Sequence, residues 1–466
     1  RRYLERVESR YSKGWKPTGT FRSSDGIPIL LLQNEGDFDK DAEFKRAIIP
    51  LLFTVLQREW HHIKQPGCVV QGLDVLHSRS CGEVLLLCRG CGRLTLHFSC
   101  LPFRDFVPAS KFSPERLEWH LNAVGIMSKE LASAQINFHE EVTDFTESCN
   151  TGRPCHIEGL GRVEAIGPDH FIQNYAGQKC NIVDCDTGEK FQDCVESFFT
   201  RFQTYGVGSQ KLTEWPHSDE VLPSHRQLLD AFEQIWPFGS YTSNRGSRNL
   251  ASNFPLNYSS PDLGPKIYAA TKSGKYGATR LHIDAADTVN VMMYAAEMPP
   301  STSCAIWHIF QPHDTGRLGQ YLREAHPASH GNSAPFLSPL AGLKAPILCD
   351  QYFLTPSDIT SLALRGIHPT VIRQKVGDAV FVPCGSPYQV ENCSACMGFS
   401  VNFISPTGMK AGLDLCDDYR MLNTTPILGK YQKWVEDIVK FEYLLWFAWM
   451  RIVHSERAHL AGGVVA

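Results

Sequence analysis

The side chains best suited to chemistry in this 466-residue chain are His282 and Asp284, which lie two positions apart. Alternate side chains of a strand point to the same face, and the apolar run at residues 289–294 predicts a buried strand here. One imidazole and one carboxylate then converge on one point. They are two of the three ligands in the 2-His-1-carboxylate set, which holds Fe(II) and leaves coordination positions open. The alternative is a histidine and an aspartate at a strand end that bond to backbone groups.

Ordered motifs on both sides of this pair favour the metal-site interpretation. In chain order, they are Asn249-Leu-Ala-Ser, Pro261-Asp-Leu-Gly-Pro-Lys, Lys275-Tyr-Gly, Asn290-Val-Met, Trp307-His-Ile, Gly377-Asp, Val380-Phe-Val-Pro and Phe403-x-Ser-Pro. Together with His282 and Asp284 they resemble the JmjC family of Fe(II)/2-oxoglutarate oxygenases, within it the subfamily that demethylates lysine 9 of histone H3. The resemblance extends over about residues 137–423.

This resemblance implies a mainly β fold with helices, the JmjC double-stranded β-helix (a cupin-like jelly roll). It implies that His282 and Asp284 bind Fe(II) and that 2-oxoglutarate is the cosubstrate. Thr279 matches a position that contacts the distal carboxylate of 2-oxoglutarate, and Asn290 matches a polar position that faces it. Where relatives carry a lysine shortly after the Trp-His-Ile motif, this chain has His313, which predicts weaker cosubstrate binding.

Tyr388 is the main departure from the family pattern, because it stands where the third iron ligand, a histidine, is expected. A phenol has a pKa of about 10, so at neutral pH it is a protonated oxygen and a poor ligand for Fe(II). Three interpretations stay open. Tyr388 or a water completes a weakened site, or the site does not turn over and the chain is a chromatin scaffold, or Cys384 or His368 replaces the ligand.

Cysteines near the N-terminus suggest a second metal site. Cys88 and Cys91 form a C-x2-C pair, and a structural zinc site needs four ligands. Cys81 or Cys68, together with Cys100 or His97, could complete the site, and Cys81 and Cys100 are the pair we predict. Buried free thiols in a β-rich subdomain are an equally good explanation.

Composition places the chain among ordinary globular proteins of a reducing compartment. Its net charge is −4 and its sixteen cysteines are spread along the chain, as in proteins that use cysteine as a small apolar residue. The sequence shows no signal peptide and no apolar run that approaches the roughly 18 residues of a membrane helix. Combined with the resemblance, this predicts a nuclear protein that binds the histone H3 tail, nucleosomes and other chromatin proteins, and no membrane.

Three regions are predicted. They are a Cys-rich N-terminal domain at 1–136, a JmjC domain at 137–425 and a C-terminal helical extension at 426–466. Helices are predicted at 37–60, 114–136, 195–203 and 315–325, and Thr355 followed by Pro356 predicts another helix start. The helix predicted at 430–454 packs either on the barrel or on a second copy of the chain, which would make a homodimer.

Overall fold

A computed structural model gives the architecture. It describes residues 42–64, 66–70, 86–88, 94–95, 106–110, 112–133, 144–160, 166–202, 208–216, 225, 228, 232, 236–254, 261–275, 277–296, 302–325, 347–348, 352–424 and 439–464. Cys81, Cys91 and Cys100 lie outside these residues, and of Cys88 only the backbone is described, so the predicted zinc site is outside the described part of the chain.

The helices predicted at 114–136, 195–203 and 315–325 end within three residues of the predicted positions, whereas the first helix begins five residues later than predicted and the C-terminal helix eleven residues later. The helices are α1 (Ala42–Ile63), α2 (Pro114–Ser133), α3 (Asp144–Thr151), α4 (Pro168–Tyr175), α5 (Val195–Phe202), α6 (Gly239–Thr242), α7 (Thr315–Ala325), α8 (Pro356–Leu364), α9 (Pro406–Thr424) and α10 (Phe441–Val464). Thr355 caps α8 as predicted, in a reciprocal capping box with Asp358. Helix α1 continues through Pro50. None of the helices in the described residues is long and apolar enough to cross a membrane.

In the part of the chain that the structure describes, the strands form three sheets. They are β1 (Val69–Val70), β2 (Leu86–Cys88), β3 (Leu94–Thr95), β4 (Phe106–Ser110), β5 (Cys155–Ile157), β6 (Lys179–Asp184), β7 (Lys190–Cys194), β8 (Gln210–Trp215), β9 (Lys266–Ala270), β10 (Thr279–Ile283), β11 (Asp287–Ala295), β12 (Ala305–Ile309), β13 (Thr370–Gln374), β14 (Ala379–Val382), β15 (Pro387–Asn392) and β16 (Cys396–Phe403). The first four strands form a sheet of their own, in the order β1-β4-β2-β3.

The other two sheets build the predicted jelly roll. A small sheet has the order β10-β15-β12-β13, and a large sheet has the order β5-β14-β11-β16-β9-β8-β6-β7. The strands within both sheets pair antiparallel. A buried apolar cluster with residues from both sheets, among them Trp307, Val380 and Tyr388, includes part of the candidate site. The jelly roll therefore brings the His282 strand and the Tyr388 strand together in the small sheet.

Helices from both ends of the chain share a single core. Helix α10 packs on α1, on α2 and on the 3-10 turn Leu250–Asn253. The apolar cluster that these helices form also includes Leu281 and Ile283 of β10, the strand of His282. The predicted C-terminal helix thus packs within its own chain, against N-terminal helices as well as the jelly roll. The predicted boundaries near residues 136 and 426 and the homodimer stay predictions.

Candidate functional site

His282 and Tyr388 face each other across two hydrogen-bonded strands. Strand β10 pairs antiparallel with β15, and His282 is the register partner of Tyr388. The centroids of the two rings are 4.2 Å apart. Asp284 follows one residue after the end of β10, so the three predicted positions lie together at one end of this strand pair. The spacing of His282 and Asp284 and the motif at Tyr388 therefore lead to one location in the fold.

The imidazole of His282 is oriented by its own strand. Its Nδ1 is 2.8 Å from the backbone oxygen of Arg280. A carbonyl only accepts hydrogen bonds, so Nδ1 carries the proton, and in the neutral ring Nε2 keeps its lone pair. Nε2 lies 3.8 Å from Oδ1 of Asp284. This is how metal-binding histidines are commonly held, with the second ring nitrogen donating to a backbone carbonyl.

Tyr388 does not complete the set of ligands. Its hydroxyl donates a hydrogen bond to Oδ2 of Asp284 at 2.6 Å. The donor set is therefore one imidazole nitrogen, one carboxylate whose second oxygen accepts from a phenol, and one neutral phenol oxygen. These groups do not fit an Fe(II) centre with three protein ligands, because the phenol donates a hydrogen bond to the carboxylate instead of supplying a ligand, which leaves Nε2 of His282 and Oδ1 of Asp284.

The Tyr388 ring is held by a neighbouring aromatic ring. It is only 7% exposed, and Trp307 of β12 stacks on it, with centroids 5.7 Å apart and planes inclined by 21°. The indole nitrogen of Trp307 donates to Oε1 of the buried Gln374 at 2.8 Å. Nε2 of Gln374 in turn donates to the backbone oxygen of Asn290 at 3.1 Å. A chain of contacts from Asn290 to Tyr388 thus holds the phenol in place.

A lysine that the sequence analysis did not identify lies at the predicted cosubstrate position. The ammonium group of Lys211 donates to the Thr279 hydroxyl at 3.0 Å. Lys211 belongs to β8 of the large sheet and Thr279 to β10 of the small sheet, so the jelly roll itself brings them together. They are 68 residues apart, and no local pattern in the sequence relates them. An ammonium group beside a hydroxyl group is a suitable pair of donors for a carboxylate.

His313 is not a substitute for such a lysine. It lies on the 3-10 turn Pro312–Asp314, and its side chain is 77% exposed. Lys211 offers a positive charge from another strand, and the weaker cosubstrate binding stays a prediction. Whether Asn290 faces a cosubstrate stays a prediction.

Neither residue considered as a replacement ligand is well suited to that role. His368 is exposed in the turn between α8 and β13. Cys384 is buried, and burial, followed by the nearby Asp287 carboxylate, raises the pKa of its thiol well above the ordinary value. Since a metal binds the thiolate, a raised pKa disfavours this cysteine as a ligand. The backbone N–H of Cys384 donates to Oδ1 of Asp287 at 2.9 Å, which makes this turn part of the scaffold.

A different group of potential ligands lies at the edge of the large sheet. Within the described residues, one group of three side chains of the kind that bind metals has its ligand atoms within 4.8 Å of one another. They are His156, Glu158 and Asp378. His156 is 3.0 Å from Asp378, and Asp378 also accepts from the backbone N–H of Lys375 and Gly159. Asp378 thereby ties β5 to the turn before β14, and its oxygens are already used by protein donors.

Comparisons with known proteins agree with this geometry. A family model described as "JmjC domain, hydroxylase" matches residues 301–403, a range that includes Tyr388. Lysine-specific demethylase 3A-A of Xenopus laevis is 27% identical over 333 residues, which cover 60% of this chain and 24% of the relative. Lysine-specific demethylase 3A of Homo sapiens is 27% identical over 337 residues, with the same coverage. Lysine-specific demethylase JMJ26 of Arabidopsis thaliana is 32% identical over 265 residues, covering 46% of this chain and 30% of the relative. The chain thus spans about a quarter to a third of the length of these relatives.

Proposed function

The chain is a JmjC-domain protein related to the lysine-specific demethylases, and from this premise we propose that it binds methylated lysine on the histone H3 tail with little or no demethylation. The observation that carries the proposal is the 2.6 Å hydrogen bond from the Tyr388 hydroxyl to Asp284. Lysine 9 of histone H3 is the proposed position, from the motifs shared with that subfamily. The proposed location is the nucleus, with nucleosomes and other chromatin proteins as partners.

The proposal rests on what Fe(II) needs from the protein. In JmjC enzymes Fe(II) and 2-oxoglutarate, when bound, supply the oxidising chemistry, and the protein supplies ligation and orientation. Here His282 offers Nε2, whereas Asp284 shares its charge with a phenol proton. Tyr388 must lose a proton and rotate away from Asp284 before it can ligate, and Trp307 stacked on the ring opposes that rotation. Weak iron affinity follows, and with it weak turnover.

A second candidate function is a demethylase of reduced activity. Two observations favour it: the lone pair of His282 Nε2 is directed by the bond to Arg280, and Lys211 lies beside Thr279 as a pair suited to the distal carboxylate of 2-oxoglutarate. With iron and cosubstrate both present at high concentration, these groups support residual binding. The two candidates share the fold and the peptide substrate and differ in turnover.

Peptide binding tests the proposed function without depending on catalysis. We expect the full chain to bind a dimethylated lysine-9 peptide of histone H3 more tightly than the unmethylated peptide, as measured by fluorescence anisotropy. A chelator in the buffer should leave this affinity unchanged, because the proposed interaction needs no iron. Equal affinity for the two peptides, or loss of binding when the metal is removed, contradicts the proposal.

A further inference from the structure

Three cysteines come together where the small and large sheets meet. Cys304 immediately precedes β12 of the small sheet, Cys396 begins β16 of the large sheet, and Cys393 lies in the turn between β15 and β16. The backbone N–H of Cys393 donates to the backbone oxygen of Cys304 at 2.8 Å. The Cys396 thiol lies 3.9 Å from the same oxygen. Cys393 and Cys396 also have C-x2-C spacing, which was not recognised in the sequence.

The three thiols differ in exposure. Cys304 and Cys396 are 0% and 3% exposed, whereas Cys393 is partly exposed at the surface. The Cys304 thiol donates to the backbone oxygen of Gln374 at 3.4 Å, and it lies close enough to the Cys396 thiol for each to shift the pKa of the other. Burial raises the pKa of the Cys393 thiol. The group therefore consists of a buried pair with one more accessible thiol beside it, and access to solvent is what suits Cys393 to meet peroxide first.

The two buried thiols shift each other's pKa in opposite directions. The neighbouring Cys396 thiol lowers the pKa of Cys304, whereas the Cys304 thiol and burial raise the pKa of Cys396. The lowered pKa favours Cys304 as the thiolate of the pair. A metal is not the explanation for the cluster, since the sulfur atoms are not a group within 4.8 Å of one another among the described residues.

We propose that Cys304 and Cys396 form a peroxide-sensitive disulfide that links the two sheets, with Cys393 as the thiol at which oxidation enters. Cys393 attacks hydrogen peroxide, breaks the O–O bond and becomes a sulfenic acid, with release of water. Cys396 attacks that sulfur, so that an S–S bond forms, the S–O bond breaks and a second water leaves. Cys304 gives up its thiol proton and attacks Cys396, so that the Cys304–Cys396 bond forms and the Cys393–Cys396 bond breaks. Cys393 leaves as a thiolate and takes up a proton to become a thiol again.

The position of the linkage connects it to the candidate site. The disulfide would fasten the start of β12 to the large sheet, and β12 carries Trp307, which stacks on Tyr388. In a reducing compartment, disulfides are mostly transient and redox-sensing, which suits a bond that forms on exposure to peroxide. The inference does not depend on histone binding or on demethylation.

Peptide mapping of the full chain tests the proposal. The protein is treated with hydrogen peroxide, free thiols are blocked with N-ethylmaleimide, and the digest is analysed by mass spectrometry. We expect a cross-linked peptide pair that contains Cys304 and Cys396, lighter by two hydrogen atoms than the separate thiols, which dithiothreitol converts back. Cys393→Ser should slow its formation several-fold at equal peroxide.

Cys180 and Cys194 serve as the internal control. They lie on neighbouring strands of the large sheet, β6 and β7, close enough for Cys194 to affect the pKa of Cys180. We expect both to be alkylated as free thiols at the peroxide dose that links Cys304 to Cys396. The proposal is overturned if Cys304 and Cys396 are recovered alkylated while Cys393 is oxidised. It is also overturned if Cys180 and Cys194 become linked equally fast. The cross-linked peptide is sought in the natural chain, so the test does not depend on whether the variant Cys393→Ser folds.

Discussion

The hydroxyl of Tyr388 donates a 2.6 Å hydrogen bond to the carboxylate of Asp284, across 104 residues of sequence. The family pattern predicts a third iron ligand at this position and the second ligand at Asp284, and here the two side chains bond to each other. A hydrogen bond between a phenol and a carboxylate is short and strong because the acceptor is ionised. In the proposed site, one substitution therefore replaces a ligand and engages an oxygen of its neighbour.

Lys211 is predicted to hold the distal carboxylate of 2-oxoglutarate together with Thr279. Lys211→Met removes the positive charge and the hydrogen bond to Thr279 but keeps most of the aliphatic side chain. We expect 2-oxoglutarate affinity to fall by about 10- to 100-fold, the loss typical of a hydrogen bond to a charged group. Isothermal titration with 2-oxoglutarate and Mn(II), which does not support turnover, measures it.

Lys190→Met is the matched control for this prediction. Lys190 is exposed on β7 and shares the register partner Val183 with Lys211. Its replacement removes an equal charge from the same sheet and leaves the hydrogen bond from Lys211 to Thr279 in place. The affinity of the Lys190→Met variant for 2-oxoglutarate should equal that of the natural chain. An equal loss in both variants would show that the effect is one of overall charge and would exclude Lys211 as a binding residue.

Gln374 is predicted to stabilise the fold through its buried side chain. It accepts from the indole of Trp307 and donates to the backbone oxygens of Asn290 and Asp378. Gln374→Leu keeps the volume but leaves the indole N–H without its acceptor, at a cost of about 1–3 kcal/mol in the free energy of unfolding. Urea denaturation measures the loss. Gln320→Leu, at an exposed position of α7, should change stability far less.

His120 is predicted to make stability depend on pH. It lies on α2 and is buried against α10, where the indole nitrogen of Trp449 donates to its Nδ1 at 3.0 Å. Burial, followed by the charge of Arg116, lowers the pKa of His120 to about 3. In the unfolded state His120 takes up a proton as pH falls below 6.5, whereas in the folded state it stays neutral down to about pH 3. The stability that His120 contributes is therefore fully present above pH 6.5 and is lost as pH falls toward 3.

Denaturation at several pH values tests this dependence. Over the range in which the unfolded histidine is protonated, the unfolding free energy should fall by about 1.4 kcal/mol per pH unit from this group. His120→Gln should remove most of this slope between pH 6.5 and 5. His61→Gln, which replaces an exposed histidine of α1, should retain it. A slope that is the same in all three proteins would rule out His120 as its source.

Local patterns in the sequence predicted the features that residues close together in the chain determine. The two-residue spacing predicted that His282 and Asp284 lie together, and both lie at the end of β10. Thr355 followed by Pro356 predicted a helix start, and Thr355 caps α8. Ordered motifs identified the jelly roll, because each matches a segment of the family pattern. These features need only strand periodicity, capping preferences and motif order.

Contacts between distant strands could not be predicted in this way. Lys211 meets Thr279 across two sheets, and Cys304 meets Cys396 where those sheets join. The packing of α10 on α1 and α2 joins opposite ends of the chain in one core. A periodic pattern shows which face of a helix or strand is buried, but not which distant element covers it. The side-chain chemistry of the Tyr388 position was evident, but its hydrogen bond to Asp284 was not.

Turnover in three proteins tests the central claim most directly. The natural chain, Tyr388→Phe and Tyr388→His are incubated with Fe(II), 2-oxoglutarate, ascorbate and a dimethylated lysine-9 peptide of histone H3, and the peptide mass is followed. We expect Tyr388→His alone to remove methyl groups, since it frees Asp284 and adds an imidazole, whereas Tyr388→Phe frees Asp284 but adds no ligand. Demethylation by the natural chain as fast as by Tyr388→His would contradict the account.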